Sequence, residues 1–317
     1  MEGHTLANKT IVIALGGNAL GNTPQDQIES VQKAADVICK LAGDGYNIII
    51  GHGNGPQVGM IDLAMDYSAN GLPRTPYMPL AECDAMSQGY IGYHLQQALE
   101  HCLSDHHIER DVISVITQVV VDQDDPAFQK PEKPVGRFYS LEEARKIEKE
   151  KGFRFVEDSG RGYRKVVPSP KPLRVVELNA IRSIVQNGMI VITVGGGGIP
   201  VVQDGKIYRG VDAVVDKDKS CSLLAQNLNA DVLLILTAVD KVSIHYHQPN
   251  QQDLSHMTLQ EADRYIAESQ FAPGSMLPKI EACRDFVKAS GHTAIITSLS
   301  KARQALQGLT GTVIKMR

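Results

Sequence analysis

Short apolar runs recur along the chain as TIVIAL, NIII, VISVI, MIVITV, VLLIL and AIIT, and stretches of helical pattern fall between them. The helical stretches include Gln25 to Leu41, Ala81 to Leu103, Val175 to Gln186 and Pro278 to Ala289. Strands that are apolar on both faces and alternate with helices predict a mainly parallel sheet covered on both sides. The expected fold is α/β, a three-layer αβα sandwich. A chain of 317 residues exceeds the usual single domain, but such folds often carry this length on one continuous sheet. We therefore read residues 1–317 as one domain.

Parallel sheets gather their ligands at the carboxyl ends of the strands. Three of the runs end there in glycine-rich loops. TIVIAL passes into GGNAL with Gly16, Gly17 and Asn18, and NIII passes into GHGNGPQVG with Gly53, Asn54 and Gly55. MIVITV passes into GGGGIP, where Gly196 and Gly197 sit in a run of four glycines. Without a Cβ, consecutive backbone amides can point at one anion. A tight turn explains any one of these loops, whereas three at strand ends favour a shared crevice for a phosphate or carboxylate. His52, inside the second loop, either touches the ligand or fills the turn.

The segment from Gln129 to Arg174 departs from this pattern. It carries thirteen Lys or Arg against seven Asp or Glu, so the rest of an overall -4 chain is strongly acidic. It also holds PSPKP and the glycines of DSGRGYR. We read an inserted flap, bounded at 123–174, that places positive charge over an anionic ligand. The competing reading is a solvated hairpin without a role.

Composition closes off several classes. The net charge disfavours a nucleic-acid partner, and no apolar run approaches the roughly 20 residues of a membrane span. A soluble, cytoplasmic protein is expected. Five scattered cysteines without a CxxC pair predict reduced thiols in or near the core. There is no GxxxxGK[ST], no GxGxxG after the first strand and no GxSxG. His245 and His247 lack a Cys or carboxylate constellation, so no metal site is expected.

Phosphoryl transfer needs positioning, cations and amide dipoles more than covalent help. In GVDAVVDKDKS, Lys217 is a candidate to reach phosphates while Asp218 holds its ammonium, although alternating charge also suits an ordinary first helical turn. Lys279 in GSMLPK falls in another first turn, where a cation is disfavoured unless an anion lies nearby. The loop after VLLIL, with Thr237 and Asp240, suits a base or ribose pocket, and Tyr246 could stack there.

Together these motifs resemble the carbamate kinases of the amino acid kinase superfamily. The resemblance runs nearly end to end, through IALGGNAL, GNGPQVG, MPLAECDAMSQGYIGY, KPVGRFY, DSGRGYRKVVPSPKP, GGGGIPV, GVDAVVDKD, LTAVDKV and GSMLPKI. It implies an amino acid kinase-like fold and the reaction of ATP with carbamate to give ADP and carbamoyl phosphate. It implies further that Lys217 and Lys279 neutralise the transferring group, that Asp218 orients both, and that Lys133 descends from the flap. Gly16, Gly17 and Asn18 would cradle phosphates, and Gly53, Asn54 and Gly55 would hold carbamate or the transferred group. Gly196 and Gly197 are carried as further phosphate contacts. Thr237, Asp240, Tyr246, Gly274 and Met276 are carried to the nucleotide. Sister kinases of amino-acid carboxylates resemble K-L-G-G in the first strand, where this chain has Ala14. ATP or ADP with Mg²⁺, a homodimer and ATP synthesis in fermentative arginine breakdown complete the expectation. The alternatives are a sister acyl-phosphate kinase and a non-catalytic nucleotide-binding regulatory module.

Overall fold

A computed structural model describes residues 9–16, 21, 23–72, 74–158 and 160–317. Gly17 and Asn18 lie outside the described residues. The central sheet runs in the order His256–Thr258, Thr312–Lys315, Thr293–Ser298, Val232–Thr237, Thr10–Leu15, Asn47–His52, Ile190–Ile192 and Val112–Ser114. Each neighbouring pair is parallel except Thr293–Ser298 with Thr312–Lys315. This is the mainly parallel α/β sheet that the apolar runs predict.

The pleat divides the core. In the strand Thr10–Leu15, Val12 and Ala14 join Cys221 and Leu224 of the helix Lys217–Leu228 and Phe286 of the helix Met276–Ser290. Ile11, Ile13 and Leu15 face the opposite way, against Ile38 of the helix Pro24–Gly43 and Leu99 of the helix Leu80–Asp105. Side chains alternate with period two, so one apolar strand serves both helical layers. The three layers follow from that alternation. All five cysteines are free and buried.

The flap forms its own sheet from Lys133–Tyr139, Tyr163–Val167 and Arg154–Glu157, with the helix Leu141–Lys151 beside it. Ser140 and Glu143 close a capping box at the start of that helix, and Gly152 ends it in the left-handed region. The strand Pro172–Val175 belongs elsewhere: it pairs with Gln118–Val121 in a second, four-stranded sheet, with Val175 opposite Val119. The helix expected from Val175 therefore begins at Leu178. Glu177 marks the break, accepting hydrogen bonds from the Gln118 backbone at 2.8 Å and from its side chain at 2.9 Å.

Candidate active site

The helix Lys217–Leu228 starts where it does because Asp216 caps it. Asp216 Oδ1 accepts from the backbone N–H of Asp218 at 3.0 Å and of Lys219 at 3.4 Å. These are donors that a first helical turn otherwise leaves unpaired. The cap turns Asp218 inward, where it is 2% exposed. Its two oxygens then hold two ammonium groups, Lys217 Nζ at 2.5 Å and Lys279 Nζ at 3.0 Å. Lys279 rises from the first turn of Met276–Ser290, whose N-cap residue Ser275 makes no side-chain capping bond. Of that turn's amides, Leu277 N–H donates to the Ala272 carbonyl at 3.1 Å and Pro278 has none, so the helix dipole rather than free amide donors adds positive potential at the same place.

From the flap, Lys133 Nζ reaches the other oxygen of Asp216 at 2.7 Å. The strand that carries it lies against the helix Gln57–Asn70 with almost no gap. A Cβ on Gly59 would fall 2.2 Å from the Gly136 Cα, so only glycine allows this approach. Two ion pairs flank the contact, Lys165 with Asp62 at 2.8 Å and Lys151 with Asp66.

Lys133, Asp216, Lys217, Asp218 and Lys279 line a cavity of ≈ 180 Å³ together with Gly53, Asn54 and Gly55. Three lysines face two aspartates there, so the cavity wall is net cationic. Burial opposes the charge on Lys217, but Asp218 and then Asp216 hold its ammonium above the ordinary lysine range. Burial likewise works against ionised Asp216, yet Lys133 and then Lys217 keep its carboxyl well below the usual range. Lys217 and Asp216 are thus both held in their charged forms, and the chamber carries one lysine more than it has aspartates.

A second cavity of ≈ 540 Å³ opens beyond it, lined by Thr237, Tyr246, Phe271 and Met276 among others. Ser275 lines both cavities, so the start of one helix separates a small cationic chamber from a larger, less charged one. Tyr246 is 52% exposed and its ring lies 4.1 Å from that of His247.

Other residues singled out from the sequence fall differently. Gly274 borders the cationic chamber rather than the larger one. Asp240 lines neither cavity, and its carbonyl accepts from Thr297 Oγ1 at 3.2 Å. Gly16 follows the strand Thr10–Leu15 and sits beside the Leu236 carbonyl, which a Cβ would approach to 2.8 Å. Gly196 and Gly197 also stand back from the chamber. A Cβ on Gly197 would sit 2.1 Å from the Val215 carbonyl and one on Gly196 2.6 Å from the Asn54 amide. Both glycines allow close packing: the turn brings Asn54 and the segment before Lys217 together. His52 is buried in its turn, with Nδ1 2.9 Å from the Gly53 carbonyl. Burial pushes its imidazole down to about 4.

Sequence reasoning missed the part played by Asp216. An Asp directly before a helix is a capping signal, and it was present. Asp212 had a similar hidden task, since its Oδ1 accepts from the Leu80 backbone at 2.8 Å and caps the helix Leu80–Asp105 from a distance. Within that helix, Gln88 clamps the Thr117 backbone with both ends of its amide, at 3.0 and 2.8 Å. Among the described residues no group of three or more His, Cys, Asp or Glu side chains gathers to hold a metal.

Residues 9–298 match the amino acid kinase family, and the chain belongs to that family. Its similarity is finer than that. It is 51% identical over 307 residues to the carbamate kinase of Staphylococcus haemolyticus, covering 96% of this chain and 99% of the relative. It is 49% identical over 306 residues to carbamate kinase 2 of Staphylococcus epidermidis, at 96% and 99% coverage. The solved structure of carbamate kinase from Giardia lamblia bound to AMP-PNP superposes with a TM-score of 0.90 at 43% identity, covering 98% of this chain and 99% of that one. Within the family, the chain stands in the carbamate kinase branch.

Proposed function

We propose that the chain transfers a phosphoryl group reversibly between ATP and carbamate, giving ADP and carbamoyl phosphate. The observation that carries this is the buried Asp218 carboxylate holding two ammonium groups over a small chamber. Carbamate and the transferring group fit the chamber beside Gly53, Asn54 and Gly55. The nucleotide lies across Ser275, with its base against Tyr246 and Met276.

In a loose phosphoryl-transfer transition state, charge spreads over the oxygens of the moving group. Lys217 and Lys279 meet that charge from one side and Lys133 from the flap. The dipole of the helix Met276–Ser290 adds to them. Because all are fixed beforehand by Asp218 and Asp216, little reorganisation accompanies the reaction. The attacking carbamate oxygen is already anionic, so no general base is required. His52 is not suited to be one, since it is buried and its ring is engaged with the Gly53 carbonyl.

Mg²⁺ is taken to enter with the nucleotide and to be held by phosphate oxygens. The chamber's carboxylates are committed to lysines, so they offer no ready ligand set. A homodimer, a cytoplasmic setting and ATP formation in fermentative arginine breakdown remain part of this reading as expectations of the resemblance. The test of the reaction is ATP formation from ADP, Mg²⁺ and carbamoyl phosphate. Synthesis that acetyl phosphate does not support equally establishes it, and no synthesis by protein that binds ADP refutes it.

A further inference from the structure

Asp84 is a buried acid that the mechanism above does not use. It lies within the helix Leu80–Asp105, 1% exposed, and its Oδ1 accepts from Asn54 Nδ2 at 2.5 Å. Its other oxygen, Oδ2, is buried and has no hydrogen-bond partner. An unpaired polar atom in the interior is costly, and such local misfits concentrate where function requires them. Burial pushes the carboxyl well above the usual range; the bond from Asn54 opposes this and nearby Asp62 adds to it.

The neighbour of this acid is a residue of the chamber. Asn54 lines it, flanked by Gly53 and Gly55, while Gly196 leaves room for the amide on the far side. The amide is thus gripped between a carboxyl and a glycine turn and cannot rotate freely. An asparagine amide offers N–H donors and a carbonyl acceptor. With Nδ2 tied to Asp84, the carbonyl oxygen is the group left for a ligand. The chamber's ammonium groups are donors, suited to anionic oxygens. Carbamate differs from a simple carboxylate by one feature, an amino group that donates hydrogen bonds.

We propose that Asp84 is a positioning residue: it turns the Asn54 amide so that Oδ1 accepts a hydrogen bond from the amino group of carbamate or carbamoyl phosphate. The pair thereby selects carbamate over carboxylates of the same size. This rests on the carbamate kinase reading. A site built to pair an N–H rejects the analogue that lacks it far better than shape alone allows.

The test compares wild type, Asp84→Val and Asp84→Asn in ATP synthesis, with acetyl phosphate as a competitor that has a methyl in place of the amino group. Asp84→Val is expected to raise KM for carbamoyl phosphate about tenfold while KM for ADP and the Ki of acetyl phosphate stay within about twofold. Its Tm shifts little, because the unpaired oxygen is gone while Asn54 Nδ2 loses its acceptor. Asp84→Asn keeps an oxygen to hold Asn54 and stays within about threefold of wild type. If KM and Ki rise together, if neither moves, or if Asp84→Val loses its fold, Asp84 is structural and the proposal fails. A wild type that makes no ATP from carbamoyl phosphate overturns the functional reading itself, a result distinct from any of these.

Discussion

The ammonium of Lys133 stands 2.7 Å from the carboxylate of Asp216, so the flap is fastened to the residue that caps the helix bearing Lys217 and Asp218. One carboxylate thus sets both the start of that helix and the position of the flap's cation. Removing the cation leaves the larger cavity untouched. Lys133→Ala is expected to lower kcat by roughly 100-fold or more while the Kd for ADP stays within about twofold. Stopped-flow turnover and calorimetric ADP binding separate the two. Equal collapse of ADP binding would contradict the assignment.

Flap docking depends on a contact too tight for any side chain. In an ordinary helix, Gly→Ala stabilises by about 0.5–1 kcal/mol. At Gly59 the added methyl would fall 2.2 Å from Gly136 Cα, so it props the flap open instead. We expect Gly59→Ala to reduce kcat roughly 10- to 100-fold without a gain in Tm. Lys165→Ala, which removes one flanking ion pair, is expected to act in the same direction but more weakly. Unchanged turnover in Gly59→Ala would show that the chamber works without a docked flap.

His52 makes stability depend on pH. Its folded value is about 4 against 6.5 for the free imidazole, so the unfolded chain binds the proton more readily. The contribution is complete above pH 6.5 and is lost as pH falls toward about 4. The full effect is ~3 kcal/mol. Asp84 runs the opposite way: its folded value is raised, so its contribution is present below the ordinary carboxylate value of 3.8 and is lost as pH rises. Comparing wild type with His52→Gln cancels that common part. Urea unfolding at pH 7.0 and 4.5 is expected to show a smaller drop in the variant, and equal drops would exclude His52 as the cause.

Several of these relationships were legible in the sequence and others were not. The sheet was readable because a doubly buried strand must be apolar throughout, as TIVIAL and NIII are. Lys217, Asp218 and Lys279 stood out because their charges lie at helix starts beside glycine loops. The run of four glycines was visible, but not its purpose: Gly196 and Gly197 make room for Asn54 and Val215, which only tertiary packing reveals. Asp240 reads as a ligand contact because it follows a buried strand; in the structure it lines neither cavity, which no local sequence pattern signals. Val175 read as helical because a periodic apolar stretch follows it, but strand pairing with Val119 holds it back. Asp84 gave no signal at all, since an acid on a mixed helix face reads as solvent-exposed until a neighbouring element buries it.

If Asp218 fixes two ammonium groups for the transferring phosphoryl group, turnover requires both lysines. The most direct measurement is kcat for ATP formation from carbamoyl phosphate in Lys217→Ala, Lys279→Ala and the double variant, with ADP affinity measured alongside. Each single variant is expected to lose roughly 100- to 1,000-fold in kcat with ADP bound nearly as before, and the double variant much less than the product of the two. Near-normal turnover in either single variant would contradict the claim.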